Sequence, residues 1–220
     1  MIDDTLVFVD GENLVMRYQE MLGGGLAPYA DNVHINDSFI WNQRVLNDNL
    51  WNIKRISYYT SVVGDDERVR GVRKRIASVK FRCRLHGGTN DGVTRDAQLV
   101  PFVRKKHSKA NKASICDMAI AVDVMRACYR NHADAIWIFS GDGDFHQLVS
   151  EAVHAGKVVY LSAFSSGLNE DLLHAVDEFI SLDKHFFDIP TRLRLPPQAQ
   201  ASTTDEPHGK PPDLGSAPCA

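Results

Sequence analysis

Short apolar runs alternate with helical segments along most of the chain, and this alternation constrains the fold more than any other feature. Residues 5–9 (TLVFV) and 135–139 (AIWIF) are near-continuous apolar runs, typical of strands that are buried on both faces. Further strands are predicted at 55–63, 80–85 and 157–164, with a short one at 180–182. Helices are predicted at about 14–22, 37–51, from 65 onward, 113–129, 145–155 and 169–179. Strands alternating with helices predict an α/β protein with three layers, α/β/α, and a mainly parallel central sheet.

Two stretches do not follow this alternation. Residues 86–112 are polar, basic and contain glycine, which predicts a long loop with at most a short strand. The last 31 residues hold 7 of the 9 prolines and have no apolar periodicity, which is typical of a disordered segment. We therefore expect one domain over 1–189 and a Pro-rich disordered tail over 190–220.

Charge is distributed unevenly along the chain. Residues 68–112 carry 14 basic and 2 acidic side chains, a net charge of +12, between segments of net −7 (1–67) and −8 (113–189). Such a basic belt favours a polyanionic partner, although a solvated helix face would have a similar composition. The expected phosphate contacts are Arg73, Lys74, Arg75, Arg104, Lys105, Lys106, Lys109 and Lys112.

Several classes of protein are excluded or disfavoured by simple counts. No run of 18 apolar residues is present, so we expect no membrane partner. The first residues lack the basic region of a secretory signal. The four cysteines form no CxxC pair, which argues against a zinc finger or a disulfide framework. These features together predict a cytoplasmic location.

Carboxylates follow two of the buried strands directly. Asp10 ends the first, and Asp142 and Asp144 follow the run at 135–139, each within a glycine-containing turn. The carboxyl ends of parallel strands meet at one edge of the sheet, where such folds bind ligands. Converging carboxylates repel one another, and a divalent cation relieves that repulsion; all-oxygen ligands select Mg²⁺ or Mn²⁺. Alternatively, Asp10 and Asp144 are helix N-caps.

The predicted helix over 113–129 contributes a fourth carboxylate. Its residues are apolar on nearly all sides, which predicts a buried helix. Asp117, near the helix start, is expected to face the acidic cluster, with a structural salt bridge as the alternative. Asp123 lies on a different face, and we expect it to pair with a nearby base or backbone group.

Three motifs, taken together, resemble the NYN (LabA-like) branch of the PIN-domain nucleases. They are residues 7–13 (VFVDGEN), 116–123 (CDMAIAVD) and 139–145 (FSGDGDF), and the resemblance covers about 1–183. It implies a PIN-like fold and a divalent-metal-dependent ribonuclease activity that acts on RNA. It also implies a metal site formed by Asp10, Asp117, Asp142 and Asp144, with Asn13 and Ser140 in support. One departure is Ser114, since the family often has lysine at that position.

Two other functions stay open at this point. Asp10 and Glu12 partly match the site of a haloacid-dehalogenase-like phosphohydrolase, although that chemistry needs a second Asp where this chain has Glu12. A non-catalytic RNA-binding domain would retain the same fold. The sequence does not decide whether the protein forms a homo-oligomer.

Overall fold

The computed structural model describes residues 4–46, 52–84, 94–106 and 114–189. Its centre is a six-stranded sheet formed by β1 (Asp4–Asp10), β5 (Asn52–Val63), β8 (Val100–Lys106), β9 (Ala135–Phe139), β10 (Val158–Ala163) and β11 (Glu178–Ser181). The strand order is β11-β10-β9-β1-β5-β8, and every pairing within the sheet is parallel. Buried on both faces, β1 and β9 are the central strands, as their apolar sequences predict.

Helices cover both faces of this sheet. They are α1 (Gly11–Gly23), α2 (Asp66–Ala77), α3 (Ser114–Tyr129), α4 (His146–His154), α5 (Glu170–Ala175) and α6 (Asp183–Phe186). Successive strand residues point to opposite faces: Val7 joins one hydrophobic core with residues of α1 and α2, and Phe8 joins another with residues of α3, α4 and α5. The predicted α/β/α layering is confirmed.

Short strands pair outside the central sheet. Strand β2 (Ala27–Pro28) pairs with β12 (Phe187–Asp188), β3 (Val33–Ile35) with β4 (Phe39–Trp41), and β6 (Lys80–Arg84) with β7 (Thr94–Gln98). None of the described helices is long and apolar enough to cross a membrane. The predicted tail over 190–220 lies outside the described residues.

The helix predicted over about 37–51 is wrong. Residues 39–41 form strand β4, and a single 3₁₀ turn follows at Gln43–Leu46. Phe39, Ile40 and Trp41 are all buried, and Tyr58 both donates to and accepts from the backbone of Ile40. Tertiary packing on both faces therefore overrides the helical periodicity of this segment.

The helix predicted over 169–179 is too long. Helix α5 ends at Ala175, and Val176 takes an extended conformation with φ −108° and ψ 157°. The chain then enters β11, which pairs with β10 from Tyr160↔Glu178 onward. These residues are extended because they pair with β10, and this partner is available only in the folded chain.

The expected loop over 86–112 contains two strands in its described part. Strand β8 occupies an edge of the central sheet and pairs with β5 from Ser57↔Val100 to Val63↔Lys106. Lys105 and Lys106, expected in an exposed loop, therefore lie on a strand. An edge strand is only partly covered by the rest of the protein, so many of its side chains can be polar. Such a strand lacks the apolar pattern from which strands are predicted.

Helix α3 begins and ends close to its predicted limits, but its predicted burial is wrong. Cys116, Ile120 and Val124 are buried against the sheet. Ile115, Met118 and Val122 are instead exposed, by 60%, 64% and 46%. The hydrophobic composition of this helix thus exceeds what packing within its own domain requires.

Candidate active site

Two of the sequence motifs are joined by hydrogen bonds at the carboxyl edge of the sheet. Strands β1 and β9 are neighbours, with Val9 opposite Phe139, so the residues that follow them meet. Ser140 Oγ donates to Asp10 Oδ2 over 2.9 Å, and the Gly141 amide donates to Asn13 Oδ1 over 3.1 Å. Asn13 and Ser140 therefore hold the two turns together.

Asp10 is a helix cap and a member of this cluster at once. Its Oδ1 accepts from the Asn13 amide over 3.1 Å at the start of α1, so the predicted N-cap is confirmed for Asp10. The residue is only 3% exposed. Burial raises its pKa from 3.8 to about 7, against the two hydrogen bonds that lower it. A carboxylate with so perturbed a pKa is typical of a functional site.

Gly11 allows the chain to turn from β1 into α1 at this place. A Cβ atom on Gly11 would lie 2.2 Å from the Tyr58 ring and 2.7 Å from the Tyr59 carbonyl oxygen. No other residue type fits so close an approach of backbone to a buried ring. The glycine in the DGEN motif is thus required by packing under the site.

Asp117 faces the acidic cluster from the first turn of α3. Its pKa is raised by burial and then by the charges of Asp142, Glu12 and Asp144, while Lys106 lowers it. Asp142 caps a 3₁₀ turn, accepting from the Asp144 amide over 3.1 Å. The turns after β1 and β9 and the start of α3 therefore bring these acids within electrostatic reach of one another.

The donor chemistry of this cluster fits a hard divalent cation. Within the described residues, Glu12 Oε1 is buried with no nitrogen or oxygen donor, and the Cys116 thiol beside this carboxylate is a weak donor. A buried carboxylate oxygen so poorly satisfied is costly unless something binds it. All the candidate ligand atoms are oxygens, as Mg²⁺ and Mn²⁺ prefer. Across 4–46, 52–84, 94–106 and 114–189, however, no three acidic, histidine or cysteine side chains are close enough to enclose one ion.

Comparison with known proteins identifies the family. The profile of the NYN domain matches residues 4–183, which is most of the chain. The chain belongs to the NYN domain family. This family is part of the PIN-like nuclease superfamily, and membership suggests nuclease activity. The LabA-like branch remains a prediction.

Among solved structures, the NYN domain resembles a crystallised protein of unknown function from Vibrio parahaemolyticus RIMD 2210633. The two share 15% sequence identity with a TM-score of 0.53, over 84% of this chain and 96% of the other. At that identity the likeness concerns the fold alone. A search among curated proteins finds no match.

Sequence reasoning missed Glu12 as a member of the cluster. Its charge acts on Asp10, Asp117 and Cys116, and it lies on the first turn of α1. The signal was present, because residues 10 and 12 both belong to the DGEN turn. Cys116 is buried with a raised pKa, and it is therefore a poor nucleophile.

Lys106 reaches the cluster from the edge strand. Its Nζ donates to Glu12 Oε2 over 2.7 Å, and its side chain is only 16% exposed. Lys105, one residue earlier, points to the other face and pairs with Asp66 at the start of α2. Only the pairing of β8 with β5 brings Lys106 to this place, and sequence reasoning did not predict that pairing.

The remaining basic candidates lie on different surfaces of the NYN domain. Arg73 donates to the Val103 carbonyl from α2, and Arg104 lies over the Phe102 ring, 4.8 Å from its centroid. Lys74 and Arg75 are exposed on α2. Lys109 and Lys112 lie outside the described residues. Of the described candidates, Lys106 alone is ion-paired to an acid of the cluster.

Proposed function

We propose that this NYN domain is a divalent-metal-dependent ribonuclease that hydrolyses phosphodiester bonds of RNA. The observation that supports the proposal is the electrostatic contact of Asp117 with Asp10, Asp142 and Asp144, because burial and then the charges of Asp142, Glu12 and Asp144 raise the pKa of Asp117. Repulsion of this kind favours binding of a cation. Mg²⁺ or Mn²⁺ would be held by these four carboxylates.

The residues of the site have separable roles in this mechanism. A bound divalent ion lowers the pKa of water and neutralises charge on the phosphate. Ser140 and Asn13 keep Asp10 in place through the two hydrogen bonds between the turns. Lys106, paired with Glu12 in the free protein, supplies positive charge beside the position of the scissile phosphate.

The environment of Asp10 disfavours the phosphohydrolase alternative. That chemistry requires an exposed Asp nucleophile, and Asp10 is 3% exposed with hydrogen bonds to both of its oxygens. A buried carboxylate with a pKa of about 7 is poorly placed to attack a phosphate ester. The family membership points to nuclease chemistry instead.

Cleavage is expected to require a divalent cation, because the carboxylates of the cluster repel a phosphate unless a bound cation neutralises them. The purified 220-residue chain would be incubated with labelled RNA and with DNA of the same sequence, in Mn²⁺, Mg²⁺ or EDTA, and the product ends identified. We expect cleavage of RNA with either ion and none in EDTA. Full cleavage in EDTA would contradict the metal site, and binding without cleavage in every condition would favour a non-catalytic RNA-binding domain.

Lys106→Gln is expected to lower the rate of RNA cleavage about tenfold or more, since one oriented charge at a phosphate typically contributes on that scale. It should also reduce the salt dependence of RNA binding by about one counterion. Lys105→Gln is the matched control: it removes the same charge one residue away on the opposite face of β8. Equal effects of the two substitutions on cleavage would show that Lys106 acts only through general charge.

A further inference from the structure

An apolar groove runs between α3 and the edge strand β8, outside the acidic cluster. It has a volume of about 470 Å³ and is lined by Phe102, Ile115, Met118, Ala119, Val122 and Asp123. Concave, mainly apolar sites of this size with few polar groups are typical of ligand binding. The exposed side chains of α3 form one wall, and nothing in the acidic site accounts for them.

Strand β8 connects this groove to the acidic cluster. Alternate residues of a strand share a face, and on β8 the face toward α3 carries Val100, Phe102, Arg104 and Lys106. The first two are apolar and the last two are cationic, and Lys106 ends at Glu12. Along this face of β8 the side chains therefore change from apolar, beside the groove, to cationic, beside the acidic cluster.

The position of Phe102 within the sheet fixes its distance from the acids. Asp10 is opposite Tyr59, and Tyr59 is opposite Phe102, so Phe102 lies in the same row two strands away, roughly 10 Å from Asp10. Met118 follows Asp117 directly along α3. The groove therefore begins within about one nucleotide of the acidic cluster.

We propose that this groove binds a nucleobase of single-stranded RNA next to the cleaved bond. The inference rests on the proposed nuclease function and adds to it a subsite for one base. The Phe102 ring, with the Arg104 guanidinium 4.8 Å from its centroid, and the Met118 side chain provide the surface on which the base packs, as aromatic and arginine side chains do in other single-strand-binding proteins. Arg104 and Lys106 contact the adjoining phosphates. Duplex RNA is excluded, since a paired base is not free to enter the groove.

Charge complementarity favours this occupant over a protein helix or a second copy. The apolar floor is bordered on β8 by two cations: Arg104, which is exposed and lies 4.8 Å from the centroid of the Phe102 ring, and Lys106, which is paired with Glu12 in the free protein. Arg104 therefore supplies the charge that suits the phosphates beside a bound base. Among the described lining residues the one acid is Asp123, which already accepts from Tyr59 Oη over 2.8 Å and is ion-paired with Arg126. Its charge is therefore compensated and does not repel the strand.

The test measures RNA binding in EDTA, where no cleavage is expected, by fluorescence anisotropy with the full chain. The probes are a labelled single-stranded RNA and the same ribose-phosphate backbone with abasic sites. Phe102→Ala should weaken binding of the first about tenfold and leave the second unchanged, with Met118→Ala acting in the same direction. Met16→Ala is the matched control, because Met16 is 51% exposed on α1, and we expect a change below about twofold.

Three results would overturn the proposal. The first is that Phe102→Ala weakens binding of the single-stranded RNA and of the abasic probe equally. The second is that neither Phe102→Ala nor Met118→Ala changes the affinity for the single-stranded RNA. The third is a parent dimer that Met118→Ala dissociates in sedimentation with unchanged RNA affinity, which would make the groove an interface between copies. If Phe102→Ala fails to fold, Met118→Ala, at a residue 64% exposed, carries the test. Binding needs no cleavage, so a protein that does not cleave would fail the nuclease proposal while a base-dependent affinity still supports the groove.

Discussion

Asp142→Asn is expected to lower RNA cleavage by at least about a hundredfold while leaving the fold intact. Asp142 acts on Asp117 through its charge, and its side chain accepts from the Asp144 amide, which caps a short 3₁₀ turn. Asparagine retains that cap but loses the negative charge that a divalent ion requires. Initial rates with Mn²⁺ in excess over the protein, together with the melting temperature, would measure both effects.

Asp96→Asn is the matched control for this experiment. Asp96 is exposed on strand β7, outside the acidic cluster, so the substitution removes the same charge without changing the proposed site. We expect its cleavage rate to stay within about twofold of the parent. An Asp142→Asn protein that cleaves at the parent rate would refute the assignment of the acidic cluster as catalytic.

The second large effect concerns stability without metal. Burial raises the pKa of Asp10 from 3.8 to about 7, so between those values the folded protein binds a proton that the unfolded chain has released. The free energy of unfolding should therefore fall as pH rises from about 4 to about 7, by about 4 kcal/mol for a shift of about 3 units. Below about pH 4 Asp10 is protonated in both the folded and the unfolded state, so its burial does not lower the free energy of unfolding. Above about pH 7 it is ionised in both states, and the full loss of about 4 kcal/mol applies.

Asp10→Asn should remove this pH dependence. In EDTA at pH 8 the variant is expected to unfold at higher denaturant concentration than the parent, and at pH 4 the difference should vanish. Mn²⁺ at a hundred times its dissociation constant should stabilise the parent by about 2.7 kcal/mol, and the variant less. Denaturant unfolding of both proteins at pH 4 and pH 8 would measure these differences.

Asp65→Asn separates the role of a helix cap from that of the acidic cluster. Asp65 also caps a helix, accepting from the Arg68 amide over 2.8 Å at the start of α2, but it is exposed. Its replacement should produce no comparable stabilisation at pH 8, since asparagine caps as well as aspartate. If Asp10→Asn is less stable than the parent at pH 8 and responds equally to Mn²⁺, Asp10 is only a structural cap.

Much of this fold and site could be predicted because the signals are local. An apolar run followed directly by Asp10, and another followed by Asp142 and Asp144, place each carboxylate at a strand end whatever the rest of the chain does. The start of α3, with Asp117 in its first turn, can likewise be predicted from a few neighbouring residues. Adjacent residues determine these features, so no knowledge of distant contacts was needed.

The errors all concern residues whose state depends on distant partners. Residues 39–41 form a strand because they are buried beneath Tyr58, and 178–181 because β10 offers an unpaired edge. The strand or helix propensity of a short stretch of sequence does not include such distant contacts. The same limit explains why the sequence predicts a loop at Lys106, which lies on β8.

By itself the sequence determined the α/β class, the two carboxylate turns after β1 and β9, and the family to which the chain belongs. Tertiary structure alone decided that β8 joins the sheet and carries Lys106 to Glu12, and that one side of α3 stays uncovered beside Phe102. The reason is physical: strand pairing and helix burial depend on which surfaces meet when the chain folds, and these surfaces come from residues far apart in sequence.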